Sequence, residues 1–118
     1  MKYLKSINEL IVNKTGYSLP KKTINELRDI CLEIEDLGYT TILHRFPFGD
    51  RRSFIMIKFN GKHFDYDLKE CCLRLKDYLG ENYLDFKYRW DKFSKEIQLT
   101  ENTELKNHVH SVIIGFKI

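Results

Sequence analysis

The sequence predicts an α+β fold: an N-terminal helix, then α-β-β-β-α-β-β, with an antiparallel sheet and the helices packed on one of its faces. Three observations predict it. Apolar residues recur at helical spacing over 24–37 and 68–79, behind Ser/Thr-x-x-Glu or Asp-x-x-Glu starts. Asn60-Gly61 stands between two β-rich runs, the strongest short-range hairpin signal, because both central residues of a type I′ turn need positive φ. Tyr83 to Trp90 alternates in polarity, as a half-buried strand does.

The elements follow in order. Ser6 and Glu9 form a capping box ahead of Ile7, Leu10 and Ile11, and Gly16 supplies a left-handed stop. This short helix makes residues 1–20 an extension of a single domain whose core is 21–118. Thr23 and Glu26 form a second box; Ile24, Leu27, Ile30, Cys31, Ile34 and Leu37 give the stripe, and Gly38 the stop. Tyr39 to Phe46 reads as a strand, and Pro47 to Asp50 as a turn. The two-residue Asn-Gly turn sets Phe59 opposite Lys62 and Ile55 opposite Tyr66. Ile55, Ile57, Phe59, Phe64 and Tyr66 then share a core face, while Met56, Lys58, His63 and Asp65 face solvent.

The next helix starts near Asp67, with Asp67 and Glu70 as its cap pattern. Leu68, Cys71, Cys72, Leu75 and Leu79 form its stripe, and Gly80 ends it. In 83–90, Leu84, Phe86, Tyr88 and Trp90 point to the core, and Tyr83, Asp85, Lys87 and Arg89 away from it. Residues 91–107 lack a firm period and read mostly as loop, although 95–99 has strand character. His108 to Ile118 is a final strand, apolar enough for an interior place in the sheet. The element order resembles the secretion-chaperone-like folds and the double-wing domain of phage transcription regulators. That resemblance is one of order, and it carries no site residues.

Composition narrows the function classes. At 118 residues the chain can bury a core without disulfides or a structural metal. Its three cysteines, Cys31, Cys71 and Cys72, are odd in number and two are adjacent, which makes a poor disulfide framework and fits buried thiols in a reducing compartment. No apolar run approaches the ~20 residues of a membrane span, and no signal-peptide pattern opens the chain. The expectation is a cytoplasmic protein that does not engage membranes. Alanine is absent while Lys, Ile, Asn, Tyr and Phe abound. That bias matches AT-rich codons and suggests a phage or a low-GC bacterium as source.

Motifs for chemistry are sparse. There is no glycine-rich phosphate loop and no supported Ser-His-Asp or Cys-His arrangement. His108-x-His110 could place two imidazoles on one strand face, but two ligands do not make a metal site. Asp50 followed by Asp67-Leu-Lys69 resembles the acid and acid-x-lysine set of restriction-type nucleases of the PD-(D/E)xK class, which implies Mg²⁺-dependent cleavage. In this sequence those aspartates also serve as turn and cap residues. No catalytic residue, metal or cofactor is assigned.

What remains is binding. The net charge is +3. Lys58, Lys87 and Arg89 fall on the solvated sheet face, and Arg51 and Arg52 follow a turn bearing Phe48; cations grip phosphates and aromatics stack on bases. The expected function is a small non-enzymatic regulatory module that contacts nucleic acid through this open basic face and the Arg51-Arg52 turn. The alternative is a protein-binding inhibitor or chaperone-like module acting through the helical face. Leu32 and Leu73, at equivalent places on the two long helices and off their stripes, would mark that interface, whether to another protein or to a second copy. A metal-dependent nuclease is the third reading.

Overall fold

The computed structural model describes residues 21–45, 52–104 and 108–117. It consists of α1 (Lys21–Asp36), β1 (Thr40–Arg45), β2 (Arg52–Lys58), α2 (Tyr66–Leu79), a 3-10 turn (Gly80–Asn82), β3 (Tyr83–Trp90), β4 (Phe93–Ile97) and β5 (Ser111–Lys117). The strands form one antiparallel sheet in the order β1-β2-β5-β3-β4. The expected first helix and its Ser6–Glu9 box, and the Pro47–Asp50 turn, lie outside the described residues.

Both helix stripes bury as their spacing requires. Ile24, Leu27, Ile30, Cys31 and Ile34 of α1 and Leu68, Cys71, Cys72, Leu75 and Leu79 of α2 join Ile55, Ile57, Phe86, Tyr88, Val112, Ile114 and Phe116 in one core. Each strand contributes every second residue, so a single sheet face is covered by helices. β5, the most apolar strand, lies between β2 and β3, where both of its edges are hydrogen-bonded. α1 begins at Lys21, which places Thr23 inside the first turn and not at the N-cap.

The Asn-Gly turn forms, but it does not close a hairpin. Asn60 and Gly61 have φ of 56° and 83°, and Lys62 N donates to Phe59 O at 2.9 Å. The expected strand at Lys62–Tyr66 is absent. Asp65 instead caps α2, its carboxylate accepting from Leu68 N at 2.8 Å, and the edge of β2 that strand would have used is taken by β5. The turn is held against the start of β1: Asn60 Nδ2 donates to Thr40 Oγ1 at 2.7 Å, and Lys62 Nζ to Leu37 O at 2.6 Å. Tyr39 OH donates to His63 O at 2.7 Å, which fixes the link as it enters α2. Phe64 is buried as expected and packs with Phe59, Phe86 and Tyr88 at centroid distances near 6.0 Å. Tyr66, assigned to the core by the hairpin register, is 67% exposed, because helix geometry replaces strand alternation there.

Residues 91–104 are more regular than their composition suggests. Asp91 takes a positive φ of 49° at the tip of the β3–β4 hairpin, and β4 follows, overlapping the 95–99 stretch of strand character and starting two residues before it, in a segment read mostly as loop. Beyond it, Thr103 Oγ1 donates to Gln98 O and accepts from Thr100 N, folding a tight turn. Two α2 lysines grip that turn from the core side. Lys69 Nζ donates to Glu101 O at 2.8 Å, and Lys76 Nζ to Leu99 O at 2.8 Å.

Candidate functional site

The sheet face opposite the helices is the candidate site. The strand register arranges it in rows. Lys58, Ser111 and Arg89 are neighbours across β2, β5 and β3. Two residues along each strand lies the row Ile42, Met56, Ile113 and Lys87, and two further the row His44, Phe54, Gly115 and Asp85. Arg52 and Lys117 pair at the far end. No described helix covers this face.

A shallow groove of about 790 Å³ opens over the Lys58–Ser111–Arg89 row and the Asn60-Gly61 turn beyond it, with Ile42, Met56, Lys58, His63, Arg89 and Asp91 in its lining. A smaller one of about 290 Å³ adjoins it, lined among others by Arg52, Phe54, Lys87, Arg89 and Lys92. Arg89 lines both, so the two hollows are parts of one surface. Each pairs an apolar floor with cations.

The face carries Arg52, Lys58, Lys87, Arg89 and Lys117 against Asp85 and Glu96 among the described strand residues. Arg52, Lys58, Arg89 and Lys117 are exposed and Lys87 is half-buried. Asp85 is partly offset by Lys87, whose Nζ stands 3.9 Å from Oδ2. Its carboxylate lies across Gly115, where any Cβ would collide with it, so the glycine makes room for an acid at the centre of the face. His44 and Phe54 stack with ring centroids 4.7 Å apart and planes 24° apart.

Four of the six expected nucleic-acid residues, Arg52, Lys58, Lys87 and Arg89, are brought together on this face. Arg51 and Phe48 lie outside the described residues. Three residues placed in its strand rows by the sequence are not there. Asp65 sits in the link to α2, His63 sits in the same link but still lines the larger groove, and Tyr83 turns to the helix side. The cause at Tyr83 is a bulge: Tyr83 pairs with Phe116 and Asp85 with Gly115, so one extra residue reverses the alternation there. The Tyr83 ring then receives Lys76 Nζ at 5.2 Å from its centroid. Residue-level reading missed Ile42, His44, Phe54, Ile113 and Lys117. Phe54 was within reach, since it lies two residues before Met56 in the same strand; the others needed the register of β1 and β5.

The remaining candidates separate. Asp67 is exposed in the first turn of α2, whereas Lys69, 8% exposed, turns inward to the carbonyls of Glu101 and Thr103 and over the Tyr66 ring. On a helix, residues two apart diverge by about 200°, so the acid-x-lysine pair does not converge on one point. His110 precedes β5 and lines the larger groove, while His108 packs edge-on against Trp90. Among the described residues no cluster of three His, Cys, Asp or Glu could hold a metal. Leu32 and Leu73 are half-buried and pack against the core cluster. Comparison with protein-family models, curated proteins and solved structures finds no match. The described helices include none long and apolar enough to cross a membrane.

Proposed function

We propose that the protein is a small non-enzymatic regulatory module that contacts nucleic acid through the open sheet face. The observation that carries the reading is the convergence of Arg52, Lys58, Lys87, Arg89 and Lys117 on one face that no described helix covers, opposed among the described strand residues by Asp85 and Glu96. Phosphate groups complement such a surface, and the partial neutralisation of Asp85 by Lys87 reduces the one central repulsion.

The experiment is a salt titration of binding to DNA and RNA for the wild type and for the Lys58→Ala, Arg89→Ala double variant. Binding weakens steeply with salt, because each neutralised phosphate releases counterions. The log–log slope is about −0.9 per phosphate on duplex DNA and about −0.7 on single strands. The double variant is expected to lose up to about two such increments of slope. Its stability should change little, since both side chains are exposed. An unchanged slope would remove these two residues from the contact. No binding by the wild type at low salt would defeat the reading and direct attention to a protein partner.

A further inference from the structure

The cations explain attraction to a polyanion, but not the centre of the face. Between the Lys58–Ser111–Arg89 row and the Arg52–Lys117 pair lie an apolar row, Ile42, Met56 and Ile113, and the stacked His44 and Phe54 rings. All the apolar members are half-buried, so they form a floor and not projecting knobs. A duplex keeps the flat faces of its bases inside the stack and presents its backbone and mostly polar groove edges, which would dehydrate against Ile42, Met56 and Ile113 without compensation. A single strand offers the flat faces of its bases as well.

The spacing favours the same ligand. Adjacent rows are two residues apart along the strands, or about 7 Å. That is about twice the ~3.4 Å rise per base in a stacked duplex strand. Bases seated on successive rows are therefore separated from one another, which an extended single strand allows and a duplex does not. A base can extend the His44–Phe54 stack, a neighbour can lie on Met56 and Ile113, and the backbone can reach the flanking cations.

Resting on the nucleic-acid reading above, we infer that this face takes single-stranded nucleic acid, with bases against Phe54, Met56 and Ile113 and phosphates against the bordering Arg and Lys residues. The chemistry recognised, an unpaired base face joined to a phosphodiester, is common to RNA and DNA.

The test uses poly(U), poly(dT) and a fully paired duplex of matched phosphate number, at one salt concentration and across a salt series. The expected result is at least about tenfold tighter binding of one or both single strands than of duplex, with the two homopolymers reporting any preference for RNA or DNA. Phe54→Ala should weaken single-strand binding about fivefold to a hundredfold, the range set by loss of one base–aromatic stack, while leaving the salt slope unchanged. Phe54→Leu keeps the apolar cover over the sheet and removes the aromatic face; it should show a loss of the same kind in a protein whose thermal unfolding matches wild type. Duplex binding equal to or tighter than single-strand binding overturns the inference and leaves the nucleic-acid reading standing. So does full single-strand affinity in a folded Phe54→Leu variant. Absence of binding to all three probes overturns both.

Discussion

At the scale of single residues, Asp65 and Asp67 show how a two-residue shift changes a role. Both are acidic, both stand near the start of α2, and either could cap it. The carboxylate of Asp65 accepts from Leu68 N, while Asp65 itself keeps extended dihedrals, φ −93° and ψ 178°, as an N-cap residue does. Asp67 lies inside the first turn and contributes only through the positive end of the helix dipole. Asp65→Ala should therefore cost about 1 kcal/mol, within the range for a lost cap. Asp67→Ala should cost less, about 0.3–1 kcal/mol and decreasing with salt. Urea unfolding of the two variants checks the order; a larger loss at Asp67 would reassign the cap. The hairpin expectation obscured Asp65, because strand alternation put it on an open sheet face.

At the scale of elements, α2 holds more than its stripe. Lys69 and Lys76 are seven residues apart, two helical turns, so both project on the same side and reach the 98–104 turn. Lys69 keeps its charge near the core by donating to two carbonyls, at 2.8 Å to Glu101 and 3.4 Å to Thr103. Lys69→Met preserves most of the apolar stem and deletes the donors, leaving carbonyl oxygens with fewer partners. It should destabilise by about 1.5–3 kcal/mol, as expected for hydrogen bonds to a charged group. Hydrogen exchange should rise at Thr100 and Thr103, whose amides belong to that turn. Unchanged exchange there would mean that the Thr100–Thr103 bonds suffice without the lysine. Composition alone marked 91–107 as irregular because these stabilising contacts join distant residues: Lys69 to Glu101, and Tyr88 OH to Glu104 O.

At the scale of the whole molecule, the covered face of the sheet shields several acids in their neutral forms. Burial pushes the Cys31 thiol up from 9.0 to about 12 and Cys71 to about 11, and Cys72 moves the same way. Burial likewise pushes the Tyr83 and Tyr88 phenols from 10.0 to about 12. Each folded pKa lies above its unfolded value, so above about pH 9 the unfolded chain binds fewer protons than the folded one. The sign is then fixed: this contribution is fully present below pH 9 and declines as pH rises toward 12. Urea midpoints should be insensitive to these groups between pH 7 and 8 and fall progressively above 9. A midpoint that climbs over that alkaline range would contradict the burial of the thiols. Native protein at pH 8 should also react slowly with thiol reagents, since the three cysteines are buried and little thiolate forms.

The sequence by itself determined the α+β class, both helix stripes, the Asn60-Gly61 turn and the alternation of Phe86, Lys87, Tyr88 and Arg89. These depend on local periodicity and on the φ preferences of single residues, which neighbours within a few positions settle. It also placed Lys58, Lys87 and Arg89 on one solvated face, because strand alternation alone separates them from Ile57, Phe86 and Tyr88. Only the tertiary structure decided which strand pairs with β2. A hairpin through residues 62–66 and the long return of β5 both satisfy that edge. The second also buries Val112, Ile114 and Phe116 and releases Asp65 to cap α2. That choice set the rows of the open face. It brought Ile113 beside Met56, Ser111 between Lys58 and Arg89, and Gly115 beneath Asp85. The physical reason is range: a pairing between residues more than fifty positions apart is selected by burial and hydrogen bonding across the whole sheet, and no local preference encodes it.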